Sequence, residues 1–192
     1  MDAPHPHGWI HAVPNLLSGA RLALAGVFPF LAAVARPWAL AAAGLSDLLD
    51  GWIARRFRAT SWVGGLLDAV ADKAFVAAAL GTRVVEGHLT WAEASLLVAR
   101  DAAVLVAATY GALAGHWRAF RHMPSRLFGR LTTALLFPLF VAWYGWPSAT
   151  GLHRVLFLAA ASSSTLAALD YGARFVRGLR AVARGDDPSV VR

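Results

Sequence analysis

The chain has 192 residues, of which 58% are hydrophobic and only 15% charged. Because a soluble domain carries about 25% charged residues, this composition excludes an ordinary soluble protein and predicts a polytopic membrane protein. The absence of cysteine excludes disulfides and thiolate metal sites. The net charge of +7 comes from arginines that cluster in the loops on one side of the predicted spans. Anionic lipid headgroups are therefore better partners than nucleic acid.

Six apolar stretches approach the roughly 20 residues that a membrane-spanning helix needs. They are residues 13–34, 37–57, 62–82, 90–114, 131–146 and 152–176. Most arginines follow the second, fourth and sixth stretches, so the positive-inside rule places these loops and both termini in the cytoplasm. The predicted fold is an all-α bundle of six transmembrane helices, forming one domain over residues 1–180 with a polar tail at 181–192.

The first predicted span begins with the polar residues Asn15, Ser18 and Arg21. Pro14 suits the start of a helix, and Asn15 or Ser18 would serve as its cap. Arg21 lies about two turns into the span, from which a long side chain can extend to the membrane interface. A structural explanation is therefore available for each of these residues.

The second and third predicted spans contain four aspartates, Asp47, Asp50, Asp68 and Asp72. Each pair is separated by three or four residues, which places both side chains on one face of a helix. The short connection between the spans predicts antiparallel neighbours, so that all four carboxylates converge. Such a cluster needs a counter-charge, and hard oxygen ligands favour Mg²⁺, Mn²⁺ or Ca²⁺. A polar contact within the bundle and an ion path through a transporter are the alternatives.

Small and basic residues adjoin these aspartates. Gly51 and Ala54 remove side-chain bulk where a ligand would approach. Arg55 supplies a guanidinium suited to bidentate phosphate binding. The stretch therefore predicts a combined metal and phosphate site.

Residues 47–55, DLLDGWIAR, are followed after eight residues by Gly64 and then by Asp68 and Asp72. This pattern resembles the signature of the CDP-alcohol phosphotransferase family, D-x-x-D-G-x-x-A-R-x8-G-x-x-x-D-x-x-x-D, at every defined position. The resemblance implies two Mg²⁺ or Mn²⁺ ions bound by the four aspartates, with Asp72 as the general base. It also implies CDP-lipid contacts from four further positions: Gly51, Ala54, Arg55 and Gly64.

The first span resembles the PN-x-L-[ST]-x-x-R segment of the phosphatidylglycerophosphate and cardiolipin synthases of this family. The resemblance implies that Asn15, Ser18 and Arg21 border the nucleotide and phosphate site. Residues 124–133 resemble the PS-x-x-GK-x-x-T segment of the same enzymes, with Arg130 in place of the usual lysine. In those enzymes a glutamine often follows this segment by a few residues, and this chain has none there. We expect Arg126, Arg130 and Thr133 to contact an anionic acceptor, with Arg174 of the last span as a further contact.

Arg100 and Asp101 are adjacent in the fourth span. Because sequence neighbours do not face each other on a helix, we expect no salt bridge between them and a partner for each on another helix. The pair resembles an R-[DE] pair of the same synthases. We favour a role in holding the bundle together, and a catalytic role stays open.

The resemblance implies a phosphatidyltransferase of phospholipid biosynthesis in the cytoplasmic (inner) membrane, with its active site facing the cytoplasm and with a homodimer as a possible assembly. It would move the phosphatidyl group of CDP-diacylglycerol to a hydroxyl acceptor and release CMP. Glycerol 3-phosphate and phosphatidylglycerol fit the acceptor segments best, and inositol phosphate or another polar alcohol is the alternative. A second, more distant alternative is a non-enzymatic transporter or structural membrane protein.

Overall fold

The computed structural model describes the backbone of residues 8–57, 62–113 and 127–184, and the side chains of 15–49, 64–111, 113 and 131–180. These residues form six α-helices and one short 3-10 helix, with no strand among them. The helices are α1 (Gly8–Val27), α2 (Arg36–Phe57), α3 (Trp62–Val85), α4 (Trp91–Leu113), α5 (Leu127–Gly145) and α6 (Thr150–Arg184), and the 3-10 helix is Phe28–Phe30. The predicted all-α class is confirmed.

The first and last helices end at residues that the hydropathy pattern did not indicate. The first predicted span continues to residue 34, whereas α1 ends at Val27 and is followed by a 3-10 turn that contains Pro29. Proline lacks the N–H of the helical ladder and disfavours the α conformation in the residue before it. The last helix continues to Arg184, four residues into the predicted polar tail.

One described helix, over Thr150–Arg180, is long and apolar enough to cross a membrane by length and composition. Asn15–Phe30 and Leu131–Gly145 are shorter apolar helices. The aspartates and arginines of α2 and α3 interrupt the apolar sequence of those two helices. The number of spans and the orientation of the termini therefore stay predictions.

The chain divides into two compact units. The first unit consists of Met1–Leu89 and Phe140–Pro147, and the second of Thr90–Leu139 and Ser148–Arg192. In the first unit α1 packs against both α2 and α3, and in the second α4 packs against α6.

Aromatic rings fill the core of the first unit just beyond the end of α1. Phe28 is fully buried, and its ring meets Phe75 and Tyr144 edge-on at centroid distances of 5.3 and 5.2 Å. The Tyr144 hydroxyl donates a hydrogen bond of 2.7 Å to the carbonyl oxygen of Ala79. Buried tyrosines commonly satisfy their hydroxyl in this way, which fixes the ring against its neighbours.

Small side chains let the helices of the first unit approach closely. Ala25 of α1 and Ala71 and Ala79 of α3 are all buried. Just after the C-terminal end of α3, Glu86 forms an ion pair with Arg36. The Nε of Arg36 also donates to the carbonyl oxygen of Leu31 at 3.1 Å. Close contact between small residues is a common means of helix association in membranes.

Hydroxyl groups connect the helices of the second unit. Ser164 of α6 donates to the carbonyl oxygen of Leu97 at 2.9 Å and accepts from the backbone N–H of Arg100 at 3.2 Å. Thr132 of α5 and Ser163 of α6 share a hydrogen bond of 3.1 Å. These side chains are buried, so their hydrogen bonds replace those that water would otherwise make.

Tyr144→Phe is expected to lower the free energy of unfolding by about 0.5–1.5 kcal/mol, because it removes one buried hydrogen bond and keeps the ring. Thermal unfolding in detergent measures this loss. Tyr171→Phe is the matched control, since Tyr171 is largely buried and its hydroxyl has no hydrogen-bond partner among the described residues. Equal melting temperatures for the wild type and Tyr144→Phe would contradict the expectation.

Candidate active site

Three of the four predicted aspartates come together in the first unit. Carboxylate oxygens of Asp47 on α2 and of Asp68 and Asp72 on α3 lie within 4.8 Å of one another. Asp68 and Asp72 are four residues apart and therefore share a face of α3. Their side chains are 41% and 46% exposed, and that of Asp47 is 51% exposed. The cluster is thus open on one side.

Arg21 of α1 reaches all three carboxylates with one nitrogen. Its Nη1 lies 3.3 Å from Oδ1 of Asp47, 3.0 Å from Oδ1 of Asp68 and 2.5 Å from Oδ1 of Asp72. The Arg21 side chain is only 2% exposed. Its guanidinium therefore lies inside the unit, against the aspartates.

Two serines also hydrogen-bond to members of this cluster. The Nε of Arg21 donates to Oγ of Ser46 at 3.2 Å, and Ser46 in turn donates to the carbonyl oxygen of Ala43 at 2.8 Å. Ser18 donates to Oδ1 of Asp68 at 3.5 Å. Sequence reasoning assigned no role to Ser46, because a serine in an apolar helix commonly bonds only to its own helix. The site therefore involves three helices and not only the hairpin of α2 and α3.

The residues of this cluster fit a divalent cation. Within this group of four described side chains, three carboxylates surround one guanidinium, a formal excess of two negative charges. Oxygen ligands are those that Mg²⁺ and Mn²⁺ prefer. A cationic nitrogen already lies among the same three oxygens, so their arrangement suits a positive charge at that position. The coarser prediction of a metal-binding cluster is therefore supported, and the identity and number of ions stay predictions.

Other residues of the predicted donor site lie near the cluster in sequence. Asn15 is one helical turn before Ser18 on α1, and Gly64 is one turn before Asp68 on α3. The side chains of the remaining predicted residues of α2 lie outside the described part of the structure: Asp50, Gly51, Ala54 and Arg55.

Two predicted acceptor residues have partners within the second unit. Oγ1 of Thr133 accepts a hydrogen bond of 3.3 Å from Nη1 of Arg100. Arg174 forms a two-point contact with Asp170, from Nε to Oδ1 at 3.2 Å and from Nη2 to Oδ2 at 2.8 Å. Of the other two predicted contacts, Arg126 lies outside the described residues and Arg130 is in α5 without a described side chain.

The expectation that Arg100 and Asp101 do not pair is wrong. Nη1 of Arg100 lies 3.5 Å from Oδ1 of Asp101, because the long arginine side chain can bend around the helix to its neighbour. The same nitrogen reaches Thr133 on α5, so the expected partner on another helix is also present. Nε of Arg100 is buried and has no hydrogen-bond partner among the described residues.

A family model described as CDP-alcohol phosphatidyltransferase matches residues 11–166. The chain belongs to the CDP-alcohol phosphatidyltransferase family. The matched residues include the whole Arg21 and aspartate cluster, whereas Asp170 and Arg174 lie beyond them. The family membership that residues 47–72 predict is therefore confirmed, over residues 11–166.

Curated relatives within the CDP-alcohol phosphatidyltransferase family carry two kinds of name. A cardiolipin synthase (CMP-forming) of Streptomyces coelicolor is 42% identical over 112 residues, which cover 49% of this chain and 48% of the relative. A putative cardiolipin synthase of Mycobacterium tuberculosis is 38% identical over 95 residues, or 47% and 46% of the two chains. A CDP-diacylglycerol–glycerol-3-phosphate 3-phosphatidyltransferase of Haemophilus influenzae is 36% identical over 66 residues, or 34% and 36%. The chain thus spans about half or less of the length of these relatives.

Proposed function

We propose that this protein is a membrane phosphatidyltransferase that moves the phosphatidyl group of CDP-diacylglycerol to a hydroxyl acceptor and releases CMP. The observation that carries the proposal is the cluster of Asp47, Asp68 and Asp72 around Arg21, built from residues that match the family signature. The names of the relatives support CDP-diacylglycerol as the donor and CMP as a product.

In the proposed reaction the acceptor oxygen attacks the phosphorus of the phosphatidyl group. The bond from that phosphorus to the bridging oxygen of the pyrophosphate breaks, and CMP leaves with the electron pair. Asp72 takes the proton of the attacking hydroxyl as general base. Asp47, Asp50 and Asp68 would hold divalent ions, which when bound neutralise the pyrophosphate and the leaving group; Asp72 is a further ligand if two ions bind.

We place the remaining donor contacts on residues around this cluster. Arg55 offers a guanidinium to the phosphates, and Gly51, Ala54 and Gly64 leave space beside the nucleotide. Asn15, Ser18 and Arg21 border the same ligand from α1. The contacts of Arg21 with Asp47, Asp68 and Asp72 support this placement, because they put its guanidinium beside the proposed metal ligands.

The proposed acceptor is anionic. Arg126, Arg130 and Thr133 of the segment at residues 124–133, together with Arg174, would bind its phosphate. The name of the Haemophilus influenzae relative, which contains glycerol 3-phosphate, supports such an acceptor. Inositol phosphate or another polar alcohol is the alternative acceptor for the same chemistry.

We further propose six membrane spans with both termini and the active site on the cytoplasmic side of the cytoplasmic membrane. Support comes from the distribution of arginine along the chain and from the apolar helix at Thr150–Arg180. Anionic membrane lipids would contact the basic face, and a homodimer is a compatible assembly.

The experiment that tests this function is CMP release by the purified full-length protein. The protein is mixed with CDP-diacylglycerol, Mn²⁺ or Mg²⁺, and one acceptor from a panel of glycerol 3-phosphate, phosphatidylglycerol, inositol phosphate and serine. We expect CMP release that requires both metal and an anionic acceptor. A folded, metal-binding protein that releases no CMP with any acceptor would favour the transporter or structural alternative.

A further inference from the structure

The arginine group, which consists of Arg36, Arg83 and Glu86, lies at the end of the first unit away from the aspartates. The Cζ atoms of Arg36 and Arg83 are 5.9 and 5.7 Å from the ring centroid of Tyr144, within the range of a cation–π contact. Each arginine is eleven residues along its helix from the nearest aspartate of the candidate active site. Eleven residues span about 16 Å of helix, so the arginine group is a separate feature.

The two arginines use their hydrogen-bond donors differently. Arg36 pairs with Glu86, and it donates to the carbonyl oxygens of Leu31 at 3.1 Å and Pro29 at 3.5 Å. Arg83 makes no hydrogen bond among the described residues, and its Nε is buried without a partner. Its two Nη atoms are not buried in this way, so they are accessible to a ligand. The group therefore contains donors that the described part of the chain does not use.

The charge of the arginine group is unbalanced. Glu86 attracts Arg83 electrostatically as well as pairing with Arg36, and Arg36 repels Arg83. Two guanidiniums share this one carboxylate, which gives the three side chains a formal excess of one positive charge. An anion with a single negative charge would balance it.

Two aromatic rings position Arg83. Its Cζ is 5.4 Å from the ring centroid of Trp143 and 5.7 Å from that of Tyr144. A ring face attracts a cation but carries no formal charge. The Tyr144 hydroxyl donates to the carbonyl oxygen of Ala79, so it accepts nothing from Arg83 in this arrangement. The rings therefore hold the guanidinium and leave its N–H groups available.

The position of Arg83 in the last turn of α3 offers a simpler explanation, because arginine there stabilises the helix dipole and the final carbonyls. The backbone already satisfies those carbonyls. The N–H groups of His88 and Gly87 donate to the carbonyl oxygens of Arg83 and Val84, both at 3.0 Å, and Gly87 has a φ of 73°. This is the Schellman ending of a helix. The end of α3 is therefore complete without the guanidinium.

Exposed apolar side chains adjoin the arginine group. Phe30 belongs to the turn whose carbonyls Arg36 binds, Trp38 is two residues after Arg36, and Val85 is two residues after Arg83. All three apolar side chains are strongly exposed. Arginine beside exposed aromatic and aliphatic side chains is typical of the interface between a membrane and water. A ligand here would meet both a positive charge and an apolar surface.

We propose that the arginine group binds the phosphodiester headgroup of an anionic phospholipid. Arg83 donates hydrogen bonds to the phosphate oxygens, Arg36 adds positive charge, and the acyl chains lie against the exposed apolar side chains. Guanidinium groups suit phosphate oxygens in geometry and charge. The site takes no part in the proposed reaction, and only its membrane setting rests on the proposed function.

The test is titration of the full-length protein in detergent with phosphatidylmethanol, with the bound lipids counted by native mass spectrometry. This lipid has a phosphodiester but no hydroxyl, so it cannot be an acceptor in the proposed reaction. Arg83→Gln is expected to weaken the binding of one lipid by about 10-fold or more, because hydrogen bonds between charged groups are lost.

Arg154→Gln is the matched control, since Arg154 is an exposed arginine of α6 in the second unit. It should weaken binding by about 5-fold at most, which is the general attraction of one basic residue to anionic lipid. Wild-type binding in Arg83→Gln, or an equal loss in both variants, would overturn the proposal.

A second arm predicts a change of opposite sign. Glu86→Gln removes the carboxylate that competes with the phosphate, so it should tighten lipid binding. A purely structural role of the arginine group would weaken binding or leave it unchanged, and either result refutes the proposal. If Arg83→Gln does not fold, Glu86→Gln decides by the same outcomes.

A third arm separates a lipid from a free phosphate ester. Dimethyl phosphate carries the same phosphodiester without acyl chains, and it should displace phosphatidylmethanol only at much higher concentration. Equal affinity for the two probes would overturn the lipid as the ligand. None of these readouts requires CMP release, so they decide the proposal whether or not the protein has the proposed activity.

Discussion

Asp72→Asn is expected to lower the rate of CMP release by about 100-fold or more, because general base catalysis contributes roughly 10²–10⁴-fold. The amide has the shape of the carboxylate but cannot take the proton of the acceptor hydroxyl. CDP-diacylglycerol binding should change little, since Asp47 and Asp68 of the cluster are retained. The two measurements are the turnover number with saturating acceptor and the dissociation constant of the donor.

The control for this prediction separates a base from a metal ligand. If Asp72 acts chiefly as the base, saturating Mn²⁺ will not restore turnover to Asp72→Asn. Recovery to near the wild-type rate at high Mn²⁺ would show instead that its contribution is metal binding. Glu93→Gln serves as the matched loss of one negative charge, because Glu93 only caps the start of α4 through Thr90. It should release CMP at the wild-type rate.

Asp68→Asn is expected to weaken Mn²⁺ binding by more than about 100-fold. Loss of a side chain that only supports a metal ligand weakens metal binding by roughly 10- to 100-fold, and here a direct oxygen ligand is lost. Asp68 accepts hydrogen bonds from Arg21 at 3.0 Å and from Ser18 at 3.5 Å, so its carboxylate is well oriented for this role. Turnover should fall with the affinity and recover in part at high Mn²⁺, in contrast to Asp72→Asn. Titration of Mn²⁺ in binding and rate measurements gives both values.

Asp170→Asn is the matched control for Asp68→Asn, since it changes an aspartate that pairs with Arg174 in the second unit. Its Mn²⁺ affinity should equal that of the wild type. An unchanged affinity in Asp68→Asn would remove Asp68 from the metal site and leave it as a partner of Arg21 alone.

The convergence of Asp47, Asp68 and Asp72 follows from local rules that the sequence displays. Helical spacing aligns Asp68 with Asp72, and the few residues between the two helices limit how far Asp47 can lie from them. The burial of Arg21 does not follow from such rules, because it depends on the packing of α1 against both α2 and α3. From sequence alone, an arginine two turns into a span fits equally well at the interface and inside the bundle.

The contact of Ser46 with Arg21 was not predictable for a similar reason. A serine in an apolar helix commonly bonds to a carbonyl of the preceding turn, and Ser46 does so with Ala43. Only the position of the neighbouring helix reveals that the same hydroxyl also receives Nε of Arg21. The pairing of Arg100 with Asp101 was missed because helix geometry fixes the direction of Cβ but not the reach of a long side chain.

Hydropathy does not predict where the first and last helices end. Hydropathy alone extends the first span through Phe28 and Phe30, since both are apolar, and the backbone properties of Pro29 end α1 earlier. At the other end of the chain, α6 continues past its apolar stretch to Arg184, because a helix ladder does not require apolar side chains.

The alanines buried in the first unit have a consequence for protein engineering. Ala71 is fully buried and directly precedes Asp72 in α3, on the same buried side as Ala79. A larger residue at position 71 would push apart the helices that bring Arg21 and the aspartates together, without itself being a ligand. Substitutions that alter the geometry of the cluster can therefore be sought among the smallest side chains of the unit, as well as among the charged ones.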